Sequence, residues 1–233
     1  MKTIGLLGGM SWESTALYYQ WINEQVRHDM GGLNSAKIAL VSVNFGEIEH
    51  YQKTGQWDLA GLVLGKAAQQ VEAAGADVLL ICTNTMHKVA PQIEAHISIP
   101  LLHLADATAE HIKQQNMNTV GLLGTVFTME EDFYKGRLTD RHGLEVIIPS
   151  EKERQVVNRI IFEELCLGVV KDHSREQFLE IIDAMHQQGA EGIIEGCTEI
   201  VMLVNQLHTR IPLFDTTRIH VEKAVEFAIR TSN

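Results

Sequence analysis

Three thiols are the side chains best suited to chemistry in this chain: Cys82, Cys166 and Cys197. Two of them open similar tracts, Cys82-Thr83-Asn84-Thr85 and Cys197-Thr198-Glu199, each following an apolar run. A thiol has an ordinary pKa of ~8.5 that falls beside cations or at a helix N-terminus, so it can act as nucleophile or general acid–base. A single thiolate in a cleft points to nucleophilic catalysis. Two at equivalent places suit a reaction with two faces, in which one base takes a proton from one side of a carbon and a second group returns a proton to the other. Thr83, Asn84, Thr85 and Thr198 add side-chain donors, and the backbone N–H groups where each turn enters a helix can hold a carboxylate. Glu199 is suited either to orienting a ligand amine or to capping a helix. Cys166 has no such context and reads as core or pocket lining in a helix expected over 155–167.

The pairing of the two tracts rests on an internal repeat. Thr3-Ile-Gly-Leu-Leu-Gly-Gly9 recurs as Thr119-Val-Gly-Leu-Leu-Gly-Thr125. Gly75-Ala-Asp-Val-Leu-Leu-Ile-Cys82-Thr83 recurs as Gly189-Ala-Glu-Gly-Ile-Ile-Glu-Gly-Cys197-Thr198, read with one extra residue before the second cysteine. Ile99-Pro-Leu-Leu102 recurs as Ile211-Pro-Leu-Phe214. The same order at nearly constant offsets implies two homologous halves.

Each half then follows one course. Apolar runs over 3–8 and 119–124 lack polar alternation and read as buried parallel strands. Helices are expected over 12–30 and 128–142, closed by Gly31-Gly32 and Gly143, followed by strands over 38–44 and 145–148. Helices over 59–74 and 175–188 end at Gly75 and Gly189, and strands over 77–81 and 191–195 lead to the cysteines. A further helix is expected from Met86 to His96. Strand–helix alternation implies an α/β fold of two pseudo-symmetric domains with parallel sheets and helices on both faces. The expected domains are 1–103 plus 213–233, and 104–212. Ligands of such sheets bind beyond the carboxyl ends of the strands, where both cysteine turns fall. The expectation is therefore one active-site cleft between the halves, with Cys82 and Cys197 on opposite walls.

Composition sets the limits. The 233 residues are 45% apolar and 21% charged, enough for a globular core. Nineteen Lys and Arg against 30 Asp and Glu give a net charge of −11, which disfavours nucleic acid because phosphate binding needs clustered cations. An odd, low cysteine count without a CxxC pair points to reduced thiols in a cytoplasmic protein. No stretch approaches the ~18 apolar residues of a membrane helix. Gly5, Gly8 and Gly9 miss the GxGxxG spacing, and no Gly-Lys-Ser/Thr follows, so the glycines serve strand–helix packing rather than a nucleotide. His87, His103, Asp106 and His111 lack metalloenzyme spacing, and no metal is expected. Ser11 precedes a helix and reads as an N-cap. Thr125 and Thr128, in the matching turn of the second half, suit capping and substrate contact equally.

Over essentially its full length the chain resembles the cofactor-independent aspartate/glutamate racemase superfamily. The resemblance is carried by Met1-Lys-Thr-Ile-Gly-Leu-Leu-Gly-Gly-Met10-Ser11, Cys82-Thr-Asn-Thr-Met-His87 and Gly196-Cys197-Thr198-Glu199, with Phe162-Glu-Glu-Leu-Cys-Leu-Gly168 similar to the bacterial amino-acid racemase branch. It implies racemisation of a small-molecule amino acid without pyridoxal phosphate or any other cofactor, with Cys82 and Cys197 as the two bases, in a homodimer. It further implies that Thr83, Asn84, Thr85 and Thr198 hold the substrate, with Met10 and Gln52 nearby. Aspartate racemases of the family carry Pro-Gln-Ile-Pro-Asp-Arg-Thr where this chain reads Asn44-Phe-Gly-Glu-Ile-Glu-His-Tyr-Gln52-Lys53. They also place Tyr and Lys where Phe162 and Cys166 stand. Two contacts for an acidic side chain are thus missing, and the substrate lies between aspartate or glutamate and a broader amino-acid set, with Lys53 the one nearby cation. Within the superfamily the alternatives are a hydantoin racemase, a maleate isomerase or an arylmalonate decarboxylase. Outside it, the alternative is a non-catalytic small-molecule-binding protein.

Overall fold

The computed structural model describes residues 1–230. The chain divides into two compact units: Met1–Leu104 together with the chain from His220 onward, and Ala105–Ile219.

In the first unit, β1 (Ile4–Gly8), α1 (Trp12–Met30), β2 (Ile38–Ser42), α2 (Phe45–Lys53), α3 (Trp57–Ala73) and β3 (Val78–Ile81) follow in order. The sheet order is β2-β1-β3, all parallel. A five-residue 3-10 turn, Thr85–Val89, and the short α4 (Ala90–Glu94) follow β3. Ser11 caps α1, its hydroxyl accepting from the Ser14 N–H. Side chains alternate across the sheet, as the strand repeat requires. Ile4, Leu6, Val78 and Leu80 pack with Tyr18, Ile22, Val26, Val221 and Val225 on one face. Leu7, Leu79 and Ile81 pack with Ile48, Leu64, Val71, Val89 and Ile93 on the other.

The second unit repeats the plan. After α5 (Leu104–Gln114) come β4 (Thr119–Gly124), α6 (Val126–Glu130), β5 (Glu145–Ile147), α7 (Glu151–Glu163), α8 (Asp172–Gln187), β6 (Gly192–Gly196), α9 (Ile200–Leu203) and β7 (Leu213–Asp215). The parallel sheet has the order β5-β4-β6-β7. The chain returns to the first unit within α10 (Thr216–Ile229). Because β7 pairs with β6, the second unit runs past 212, and the segment expected in the first domain from 213 joins it only from His220. Residues 231–233 of that segment lie outside the described residues.

Three expected helices take other forms. The segment from Met86 to His96 is the 3-10 turn plus α4, with Pro91 in the first turn of α4. The helix over 128–142 is reduced to α6 and a wide π turn at Arg137–Arg141. Asp106 holds that turn from both ends, accepting two bonds of 2.7 Å from Arg137 and one of 2.8 Å from His142. The helix over 155–167 stops at Glu163; Leu165–Leu167 is a 3-10 turn closed by Gly168 at φ 72°. Among the described residues no helix is long and apolar enough to cross a membrane.

The repeated glycines Gly5 and Gly121 occupy matching places but different surroundings. A Cβ on Gly5 would lie 2.8 Å from the Val78 carbonyl oxygen and 2.5 Å from Val71 Cγ1, against backbone that cannot yield. A Cβ on Gly121 would meet only the ends of Ile193 and Met185, which can rotate. Gly5→Ala is expected to cost about 3 kcal/mol and Gly121→Ala about 1 kcal/mol or less, measurable by urea unfolding of each variant.

Candidate functional site

The carboxyl ends of β3 and β6 carry the two cysteine turns, and strand register decides how they correspond. In the first sheet Leu7 lies opposite Ile81; in the second Leu123 lies opposite Glu195. Leu7 and Leu123 are repeat equivalents, so Ile81 matches Glu195, Cys82 matches Gly196 and Thr83 matches Cys197. The hydrogen bonds agree. Asp77 N–H donates to Thr3 O and Glu191 N–H to Thr119 O, while the Asp77 and Glu191 carboxylates accept from Thr3 N and from Asn118 and Thr119 N. Leu79 N–H donates to Pro100 O as Ile193 N–H does to Pro212 O. Counted from Gly75 and Gly189 the halves align without an insertion, and the residue in the place of Cys197 is Thr83. The expected pairing of Cys82 with Cys197 is corrected by one residue.

Cys82 continues the alternation of Val78 and Leu80. Its side chain is fully buried among Ile4, Leu6, Tyr18 and Ile22. Burial alone pushes its thiol far above the ordinary range. Its carbonyl accepts from the Ser14 hydroxyl at 2.9 Å, which ties the start of the turn to α1. Thr83 and Thr85 are half-buried and Asn84 is buried. Behind them the His87 ring donates from Nδ1 to Thr83 O at 2.8 Å.

In the second unit Cys197 is 9% exposed, and its Sγ–H donates to Glu199 Oε2 at 2.9 Å. The Thr198 hydroxyl donates to the same oxygen at 2.7 Å. Burial raises the Cys197 pKa well above that of a free thiol, and the Glu199 carboxylate and the Cys166 thiol raise it further. The four-residue α9 and the 3-10 turn after Cys82 are too short to supply the dipole that lowers a thiol pKa. Cys197 therefore rests as a protonated thiol. Thr125 and Thr128, both buried, sit at the end of β4; the Thr125 hydroxyl caps α6 by accepting from Thr128 N.

The remaining expected residues divide by unit. Met10 is buried in the core beside Leu7 and Ile48, at the carboxyl edge of β1. Gln52 lies half-buried on α2, one residue before Lys53. Lys53 is exposed and paired with Glu49 one turn away. Phe162 and Cys166 are exposed in the second unit. His87 and His103 stack at 4.6 Å in the first unit, whereas Asp106 is engaged by Arg137 and His142 in the second. Among the described residues no cluster of three or more His, Cys, Asp and Glu side chains could hold a metal ion.

Sequence reasoning passed over Glu195 and Asp215. They lie opposite each other on β6 and β7, and Glu195 is 4% exposed with Oε1 lacking a hydrogen-bond partner. Its repeat equivalent is the core residue Ile81, so a carboxyl stands where the duplicate keeps an isoleucine. An acidic residue inside an otherwise apolar strand was the available signal. Burial first, and Asp215 second, push Glu195 up to about 8. Asp215 is itself raised by burial, although the Thr217 and Arg218 N–H groups oppose the shift.

Two duplicated parallel α/β units each carry a polar turn at the carboxyl edge, and the turn of the second holds a thiol hydrogen-bonded to a carboxylate. The profile of the Asp/Glu/hydantoin racemase family matches residues 7–224, and the chain belongs to that family of isomerases. It is 54% identical to a Yersinia pestis protein whose crystal structure is described as a candidate Asp/Glu racemase, with a TM-score of 0.95 over 99% of this chain and 100% of the other. An aspartate racemase homologue from Pyrococcus horikoshii OT3 is 35% identical, with a TM-score of 0.87 over 98% and 99% of the chains. The broad specificity amino-acid racemase RacX of Bacillus subtilis (strain 168) is 23% identical over 219 residues, 92% of each chain.

Glu195 makes the stability of the second unit depend on pH. In the unfolded chain it ionises near 4.5, but in the fold only near 8. Folding therefore favours the protonated acid, and stability falls as pH rises from 4.5 to 8, by at most about 1.4 kcal/mol per unit. Glu195→Gln is expected to raise the melting temperature above pH 8 and to leave it nearly unchanged at pH 4.5. Thermal melts of both proteins across that range check this.

Proposed function

We propose that the protein racemises an amino acid without a cofactor, with Cys197 as the proton-transferring thiol and Thr83 as the register-equivalent group of the other half. Racemisation requires a proton to leave one face of Cα and another to return to the opposite face. The duplicated turns supply two equivalent positions for this, and only one carries a thiol. In the resting state Cys197 holds its proton and is poised to protonate a Cα carbanion. In the opposite direction it must give that proton up, and Glu199, whose carboxylate oxygen accepts the Sγ–H bond, is the group placed to take it. A hydroxyl is a weak base, so on the Thr83 side proton transfer falls to that hydroxyl or to a water it orients.

Asn84 and Thr85 offer neutral donors for the substrate carboxylate, consistent with an α-amino acid, and Thr198 joins them if its hydroxyl turns away from Glu199. The family and the Yersinia and Pyrococcus neighbours support aspartate or glutamate. The exposed Lys53–Glu49 pair and the missing arginine favour a wider range, as does the similarity to RacX. The observation that carries the reading is the Cys197–Glu199 bond in a turn that register equates with Thr83.

The test is Cα-proton exchange in D₂O together with optical rotation, over a panel of acidic and neutral amino acids, maleate and hydantoins. Cys197→Ser is expected to lower racemisation by on the order of 10²-fold or more. Cys82→Ala should retain the rate and lose about 1 kcal/mol of stability through the cavity it leaves. Equal loss of rate in both variants would restore a two-thiol mechanism; full activity of Cys197→Ser would exclude both schemes.

A further inference from the structure

His87 belongs to a buried set of three imidazoles, and in two of them, His87 and His220, the hydrogen bonds admit only one proton arrangement. Its Nε2 accepts from the Leu104 backbone N–H at 3.3 Å, and a backbone N–H can only donate. The ring proton is therefore on Nδ1, which faces the carbonyls of Thr83 at 2.8 Å and Asn84 at 3.3 Å. His220 is fixed the other way round. Its Nε2–H donates to Leu102 O at 2.8 Å, and its Nδ1 accepts from the Tyr18 hydroxyl at 2.9 Å. His103 stacks edge-on against His87, with His220 beyond it at 6.0 Å. All three histidines are at most 4% exposed.

These bonds converge on the places where the chain leaves and re-enters the first unit. Leu104 is its last residue before the second unit, and His220 is the first after it. His220 holds the departing segment at Leu102, which also pairs with β3 through Leu102 N–H to Leu79 O. His87 holds the same segment at Leu104 and reaches back to the residue in the place of Cys197. The first-unit turn lacks a long helix to fix it, and this ring and the Ser14 hydroxyl are buried side chains that hold its backbone.

We propose that His87 is a positioning residue, which sets the Thr83 carbonyl, and with it the Thr83–Thr85 turn, against the departing segment at Leu104. Its ring is buried behind the turn. It acts through Thr83, so its effect on rate rests on the racemase reading above, whereas its effect on the turn does not.

Two substitutions separate its bonds. In His87→Asn the amide nitrogen lies near the place of Nδ1 and can still donate to Thr83 O. In His87→Gln the amide oxygen reaches the place of Nε2 and can accept from Leu104 N–H, but the donor to Thr83 is lost. The Asn variant is expected to keep kcat/KM close to wild type, and the Gln variant to lose about tenfold at a similar melting temperature. Amide hydrogen exchange at Thr83, Asn84 and Thr85 should be faster in the Gln variant than in the Asn variant. Equal kinetics and equal exchange in the two variants would overturn the proposal. If the wild-type protein racemises no amino acid, the functional reading falls, and amide exchange alone decides the role of His87. If neither variant folds, nitrogen NMR of the ring-labelled wild type decides: a proton on Nδ1 and a bare Nε2 uphold it, and the opposite tautomer or a charged ring overturns it.

Discussion

Parallel pairing of the central strand with its neighbours decides which side chain stands at the carboxyl edge of each sheet. Leu7 opposite Ile81 and Leu123 opposite Glu195 make Thr83 and Cys197 the second residues beyond equivalent positions. Because successive side chains point to opposite faces, a shift of one residue exchanges core for edge. That is why Cys82, on the face of Val78 and Leu80, is sealed against α1 and α10 while its neighbour Thr83 is not. The glycines ending β1 and β4 belong to the same constraint. A Cβ on Gly8 would strike Thr15, and one on Gly124 would crowd Thr128 and the Gly196 carbonyl, so each helix can begin close over its strand only because these positions are bare.

The two turns share a frame but differ in electrostatics. The second unit buries a thiol against a carboxylate, and two residues before that thiol Glu195 on β6 lies opposite Asp215 on β7. Burial raises the Cys197 thiol and the Glu195 and Asp215 carboxyls, and at neutral pH Cys197 and Glu195 hold their protons where charge would be costly. The first unit buries imidazoles instead. His220 is held down to about 3 by its burial and by His87, and backbone partners fix the tautomers of both rings.

The sheets were legible because buried parallel strands read as near-continuous apolar runs, and the helices that end at Gly31, Gly75 and Gly189 because these glycines close their segments with positive φ. The short segments after the strands were not. The stretch from Met86 to His96 has helical spacing, yet His87 turns back onto Thr83 O and Leu104 N instead of facing outward. The region after Glu130 is held by Asp106, which is 31 residues from Arg137 in the chain. Neither tether has a local signature.

The sequence by itself determined the duplication, the parallel α/β class and the family, and it placed Cys197 just beyond a strand end. Each of these rests on repeated local pattern: apolar runs, closing glycines and a Gly-Cys-Thr-Glu tract at a strand end. It drew Cys82 into the site because a Cys-Thr dipeptide is conspicuous, although the count from Gly75 and Gly189 already favoured Thr83. Only the tertiary structure decided which of the two corresponds to Cys197, because the face a strand residue takes depends on register with a neighbour some seventy residues away in the chain. The protonation of Cys197, the raised Glu195 and the fixed tautomer of His87 were likewise out of reach of the sequence. Burial and the partners that long-range packing supplies set each of them.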